Sequence, residues 1–246
     1  MSRSIVVIAC AVLHDEIEWL RDQCPDVVRV CELAQGLHNE PDRLRTELQA
    51  AIDAVELVWE PDAIVLVYGL CSRGTEGLHA RRAKLVWPRA HDCITLLLGS
   101  KERYAEEIDK EPGTYWYSSG WNATGTQPGP DRIAFYRQHY EAAGYDEDDI
   151  EFLMEQEQSW LTKYDRAAWV DFGVDACGQG CQYTKDCASH LGWRYESIPS
   201  DPALLRDLMA GVWDEDRFLV CGPGQTAELS GDARVLRYRQ RKGAHR

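Results

Sequence analysis

Short unbroken apolar runs alternate along the chain with stretches whose apolar positions recur every three or four residues. SIVVIAC at 4–10 is apolar and β-branched through its centre, as expected of a strand covered on both faces. HDEIEWLRD at 14–22 then has helical spacing through Ile17 and Leu20, and DVVRVCEL at 26–33 reads as a second strand. PDRLRTELQAAIDAVE at 41–56 is an amphipathic helix opened by Pro41 and Asp42. DAIVLVYGL at 62–70 is the clearest strand of all, AKLVWP at 83–88 is another, and CITLLLGSKERYAEEID at 93–109 reads as one helix.

The pattern breaks at 112–131, PGTYWYSSGWNATGTQPGPD, which is rich in Gly, Pro and aromatics and has no period. It reads as a long ordered loop, a kind of segment that is usually functional when it lies inside a compact domain. Residues 131–160 are acidic and helical, broken near Gly144. Strand and helix then alternate again: RAAWVDFG at 166–173, a helix over 177–191, WRYESIP at 193–199, DPALLRDLMAGVW at 201–213 and RFLVCGPG at 217–224. The basic tail RVLRYRQRKGAHR reads as a last strand with a frayed end.

This alternation predicts an α/β protein with mostly parallel sheet flanked by helices. Two βαβαβ-like lobes around a cleft are expected, at 1–111 and 166–246, with the aromatic loop and helical insertion at 112–165 between them. One continuous domain over 1–246 is the alternative.

Charge narrows the partners. A net charge of −14 over 246 residues disfavours nucleic acid and anionic membrane surfaces, both of which call for basic patches. No apolar run approaches the ~20 residues that span a bilayer. The first residues read as a strand rather than a signal peptide, so the expected location is cytoplasmic. Thiols stay reduced there, and nine cysteines need an explanation other than disulfides.

Parallel sheets bind ligands at the carboxyl ends of their strands. Those ends carry Cys10, then His38 in GLHNEP, Cys71 and Arg73 in YGLCSRG, Arg89, His91 and Cys93 in WPRAHDC, and Cys221. Thiolate and imidazole donors are what zinc or an iron–sulfur cluster requires, so Cys10, Cys71, His91 and Cys93 form a candidate metal site. Asp92 or a backbone carbonyl would orient an imidazole there. Each cysteine taken alone also fits as a small buried apolar residue. Arg89 is a candidate anchor for an anionic small-molecule substrate, with Arg73 as a further cation. His91 and His38 are the candidate catalytic imidazoles. Tyr115 and Trp121 in the aromatic segment form either a wall over a bound cofactor or packing beneath a loop.

A second cluster, Cys177, Cys181 and Cys187 in CGQGCQYTKDC, has His190 nearby as a fourth donor but matches no ferredoxin spacing. A helix amino terminus carrying one acidified thiol is its other reading. The glycines of YGLCSRG and VCGPGQ match neither phosphate-binding pattern, and no G-x-S-x-G or H-E-x-x-H is present.

Taken together, IACAVLHDEIEWL, GLHNEPDRL, VYGLCSRGTEGL, PRAHDCITLLLGSKERY, PGTYWYSSGW and LLRDLMAGVWDEDRFLVCGPG resemble the DUF1638 family across nearly the whole chain. The resemblance marks Cys10, His38, Cys71, Arg89, His91 and Cys93 as motif positions and leaves Cys177, Cys181, Cys187 and Cys221 outside the motifs. Family members occur near genes for corrinoid-dependent methyltransferases, which implies methyl-group or one-carbon metabolism. The resulting expectation is a metal-dependent transferase or lyase. The alternative is a non-catalytic carrier or accessory protein serving a corrinoid methyltransferase partner.

Overall fold

The structure, a computed structural model, describes residues 3–123 and 126–240. In chain order the strands are β1 (Ile5–Cys10), β2 (Val27–Leu33), β3 (Ala63–Val67), β4 (Lys84–Pro88), β5 (Thr114–Tyr117), β6 (Arg166–Asp171), β7 (Arg194–Pro199), β8 (Phe218–Cys221), β9 (Gln225–Leu229) and β10 (Leu236–Gln240). The helices are α1 (His14–Arg21), α2 (Pro41–Val58), α3 (Cys93–Leu98), α4 (Lys101–Lys110), α5 (Ser119–Asn122), α6 (Pro130–Ala143), α7 (Glu147–Ser159), α8 (Gln179–Leu191) and α9 (Ala203–Met209). The fold is α/β, with mostly parallel sheets flanked by helices. The chain divides into two units, one of residues 1–104 with 201–246 and one of residues 105–200.

The first unit is built on a sheet of order β2-β1-β3-β4-β8, parallel except for β8, which runs antiparallel to β4. Every residue of β3 is buried, which explains its unbroken apolar sequence. Along α2 the buried positions Leu44, Leu48, Ile52 and Val55 recur at helical spacing and join Val6, Ile8, Ile64 and Leu66 in one core. Burying each such side chain contributes ~1.5–3 kcal/mol. The hairpin β9–β10 adds Ala227, Val235 and Leu236 to the same core.

The second unit is built on the parallel sheet β5-β6-β7, with β6 in the centre. Arg166, fully buried at the start of β6, donates to Thr114 Oγ1 at 3.1 Å. Its guanidinium lies 3.2 Å from Glu107 and 3.0 Å from Glu196.

Three expectations are corrected. The helix expected over 93–109 breaks at Gly99, where φ is +90° and a Cβ would stand 2.5 Å from Asp201 Cβ. Part of the expected loop at 112–131 is strand: Thr114–Tyr117, all strand-favouring residues, pair in parallel with Arg166–Trp169. Residues 166–246 do not form one lobe. Leu85 pairs with Cys221 and Trp87 with Leu219, so β8 returns to the first sheet. Thr124 and Gly125 of the expected loop, and the expected frayed end at 241–246, lie outside the described residues. Among the described residues no helix is long and apolar enough to cross a membrane.

Candidate functional site at the carboxyl edge of the first sheet

From β1 the chain passes to β2 on one side, and β3 then pairs on the other side of β1. Connections that leave neighbouring strands in opposite directions mark the place where doubly wound sheets bind ligands. Here that place lies between the carboxyl ends of β1 and β3. Cys10 is the last residue of β1, and the pairing of Ala9 with Val67 sets it beside Tyr68. Cys71 follows three residues later, and both thiols pack against the core that contains Tyr68.

The environment of these groups is dry and negative. Burial pushes the Cys71 thiol up to about 12, and Cys10 and Asp92 push in the same direction. Burial also raises Cys10; the Val12 backbone amide opposes that shift and Glu32 adds to it. Both thiols are therefore protonated at neutral pH and neither is a ready nucleophile. The Tyr68 hydroxyl is raised by burial and then by Cys10, Cys71 and Glu32. Tyr68 is only 4% exposed, and its hydroxyl has no hydrogen-bond partner among the described residues. Buried hydroxyls are almost always paired, so this one is free to bond a ligand. Beside it, His14 Nδ1 lies 2.7 Å from Glu32 Oε1, and this hydrogen bond is the main cause of the raised His14 pKa.

The loop that carries Cys71 is strained and firmly held. Cys71, Ser72 and Arg73 all take left-handed φ values, of 45°, 54° and 68°. Non-glycine residues held there cost about 1–3 kcal/mol each and persist only where the surroundings dictate the conformation. The surroundings do so here: Leu70 and Cys71 amides donate to Ala90 and His91 carbonyls, and Gly74 N–H donates to the Cys71 carbonyl. Arg45 Nη2 reaches the Arg73 carbonyl at 3.0 Å, and Thr75 Oγ1 reaches the Gly69 carbonyl at 3.2 Å. Gly69 has no alternative, because a Cβ there would lie 2.5 Å from the Asp92 backbone nitrogen.

The expected four-donor metal site is only half assembled. Among the described residues no three His, Cys, Asp or Glu side chains converge to hold a metal ion. Cys10 and Cys71 come together, but His91 is exposed in a turn whose carbonyl already accepts from Cys71. Cys93 is half-buried as the first residue of α3. Asp92 does not orient an imidazole: it caps α3 through Thr95 N–H and accepts from the Tyr104 hydroxyl at 2.8 Å.

The other expected residues lie apart from this edge or are already engaged. Arg89 is 9% exposed and donates to the main-chain carbonyls of Glu215, Arg234 and Leu236. His38 is half-buried in the turn before α2, where burial lowers its pKa. Arg73 is exposed and paired with Glu76 at 2.9 Å. Tyr115 belongs to an aromatic cluster in the second unit with Tyr117, Trp160, Tyr164 and Trp193, and Trp121 lies on α5 of that unit.

The second cysteine cluster does not gather. Cys177 is exposed before α8, Cys181 lies 3.1 Å from the Tyr195 hydroxyl, and Cys187 is fully buried where a Cβ on Gly129 would touch it. His190 is exposed. None of the nine cysteines, all of which lie among the described residues, forms a disulfide.

Sequence reasoning missed Tyr68, Glu32 and Glu16. Tyr68 reads as one more apolar residue at the end of a strand, although a hydroxyl at a strand's carboxyl end was a usable signal. Glu16, 1% exposed with neither oxygen hydrogen-bonded among the described residues, looked like a solvated acid in HDEIEW. Burial raises its carboxyl to about 7.

No curated protein and no solved structure matches the chain. A family model described as "Protein of unknown function (DUF1638)" matches residues 33–209, a span that holds Tyr68, Cys71, Arg89 and Asp92, and the chain belongs to that family.

Proposed function

We propose that the carboxyl edge between β1 and β3 binds a small molecule, and that Cys10 and Cys71 serve as a pair of soft donors for a metal-dependent transfer reaction. The observation that supports this is the buried Tyr68 hydroxyl, which has no hydrogen-bond partner among the described residues and interacts electrostatically with both thiols at a topological switch point. Half-buried, protonated thiols are poor free nucleophiles, whereas a bound cation supplies the charge that ionises them. Zinc needs fewer cysteines than an iron–sulfur cluster, which takes up to four; catalytic zinc sites draw three ligands from the protein, so a further donor would join Cys10 and Cys71. Zinc, when bound, would polarise a substrate group or lower the pKa of a bound nucleophile. The chain's own groups would do the rest. Tyr68 donates a hydrogen bond to the ligand, His14 with Glu32 can hold or pass a proton, and the strained Cys71–Arg73 turn fixes one sulfur. Methyl-group or one-carbon chemistry beside a corrinoid-dependent methyltransferase, in the reducing cytoplasm, is the setting we propose for it.

The test is anaerobic purification followed by metal analysis and zinc titration with proton release. One zinc per chain is expected, lost in Cys10→Ser and in Cys71→Ser and kept in Cys177→Ser. Folded, metal-free protein whose zinc affinity is unchanged in Cys10→Ser and Cys71→Ser would overturn the proposal.

A further inference from the structure

Three arginines are buried in the described residues, and they differ in what neutralises them. Arg132 lies 2.6 Å from Glu157, and Arg166 lies within 3.2 Å of both Glu107 and Glu196. Among the described residues Arg89 forms no ion pair, and its donors there reach main-chain carbonyls. A buried cation is normally paired, because leaving water without a counter-charge is costly.

Arg89 lines a cavity of about 420 Å³ in the first unit. Three further cations line it, Lys101, Arg217 and Arg234, against two carboxylates, Glu102 and Asp216. Arg217 is neutralised by Asp207 at 2.7 Å and Asp214 at 2.6 Å, and Lys101 lies 3.8 Å from Glu102, which leaves Arg89 and Arg234 without an ion pair among the described residues. Burial and then the Arg234 guanidinium lower the Arg89 pKa, while Asp232, Glu215 and Asp216 oppose them without forming an ion pair to Arg89 among the described residues. On a chain of net charge −14, this concentration of positive charge is local and specific.

The backbone at the rim is also strained. Leu236 N–H donates to the Arg234 carbonyl at 2.6 Å across Val235, whose φ is +64°. A β-branched residue at positive φ in a three-residue γ-turn is rare. Arg89 holds this turn by bonding the carbonyls on both sides of Val235, and the turn sets Arg234 at the cavity. Strain of this kind collects at ligand clamps.

We infer that the Arg89–Lys101–Arg234 cavity is a binding site for a small oxyanion, a phosphate or carboxylate group, distinct from the thiol pair. The anion supplies Arg89 with a contacting counter-charge that Asp232, Glu215 and Asp216 do not provide, and it relieves the repulsion between the two guanidiniums. Lys101 Nζ, now 2.7 Å from the Ala233 carbonyl, adds a third donor from the start of α4.

Calorimetric titration with inorganic phosphate and with malonate, at matched ionic strength, tests this in the full chain. Saturable binding is expected for one of the two, and which one identifies the headgroup class. Arg89 also holds a turn, so its substitution can unfold the protein. The decisive variants are Arg234→Gln and Lys101→Gln, each expected to weaken binding at least about tenfold with the fold intact by circular dichroism. Lys185→Gln in the second unit is expected to change nothing. Cys71→Ser is expected to leave anion binding intact, so this site and the thiol site fail separately. Absence of saturable binding for both anions, or affinity unchanged in Arg234→Gln, would overturn the inference.

Discussion

The two sheets handle sulfur and buried charge in opposite ways. In the first unit, cysteines 61 positions apart in sequence, Cys10 and Cys71, meet because parallel strands end on the same side of their sheet. In the second unit, cysteines close in sequence are spread apart by the helix that carries them. Six positions along α8 rotate Cys187 roughly 120° away from Cys181, so one meets Tyr195 and the other Gly129. The buried arginines follow the same division. Arg166 has two carboxylates and a hydroxyl, whereas among the described residues Arg89 has no ion pair and Glu16 and Tyr68 have no hydrogen-bond partner. Polar groups that a fold satisfies internally stabilise it. Those left unsatisfied at a sheet edge are available to a ligand.

Three measurements would break or sharpen this contrast, and the first two should have opposite signs. Arg166→Met leaves Glu107 and Glu196 without their buried partner and is expected to destabilise the second unit by roughly 3 kcal/mol in urea unfolding. Glu16→Gln is expected to stabilise the protein at pH 8 by up to about 3 kcal/mol. Below about pH 4.5 the Glu16 acid is protonated in both folded and unfolded chains, so the substitution is neutral there. As pH rises from 4.5 to about 7, the unfolded chain releases a proton that the folded chain keeps, and native stability falls. Above 7 the full penalty is present, and Gln removes it. A gain of equal size at pH 4 and pH 8 would show that Glu16 is not held protonated by the fold. The smallest effect is kinetic: iodoacetamide at pH 8 is expected to modify exposed Cys177 at least about a hundredfold faster than Cys71. Equal rates, read by peptide mass spectrometry, would contradict the burial of Cys71.

The strands of the first sheet were legible because burial on both faces demands unbroken apolar residues, as in AIVLV of β3. The break between α3 and α4 was also written in the chain: Gly99 after Leu98 is a helix-ending signal, masked by the apolar spacing that continues across it. β5 was hidden because its four residues sit between glycine and serine and look like loop until a partner strand is known. At the site, cysteines at strand ends were legible, and their pairing followed from the sheet order. Which side chains turn inward was not legible. His91 and Cys93 share a junction with strand-end residues, but the hydrogen bonding of the turn decides their direction. Arg89 was recognised as a cation near an edge, yet its three carbonyl partners come from residues more than 120 positions later.

The late return of the chain has a consequence for synthesis. Until β8 emerges, the outer edge of β4 offers unpaired amides and carbonyls to any passing strand, and the whole second unit must be made first. A nascent chain stalled near residue 200 would therefore carry a sticky, incomplete sheet and an arginine with none of its carbonyl acceptors. The topology thus leaves the first sheet open to wrong pairing until the last fifth of the chain is made.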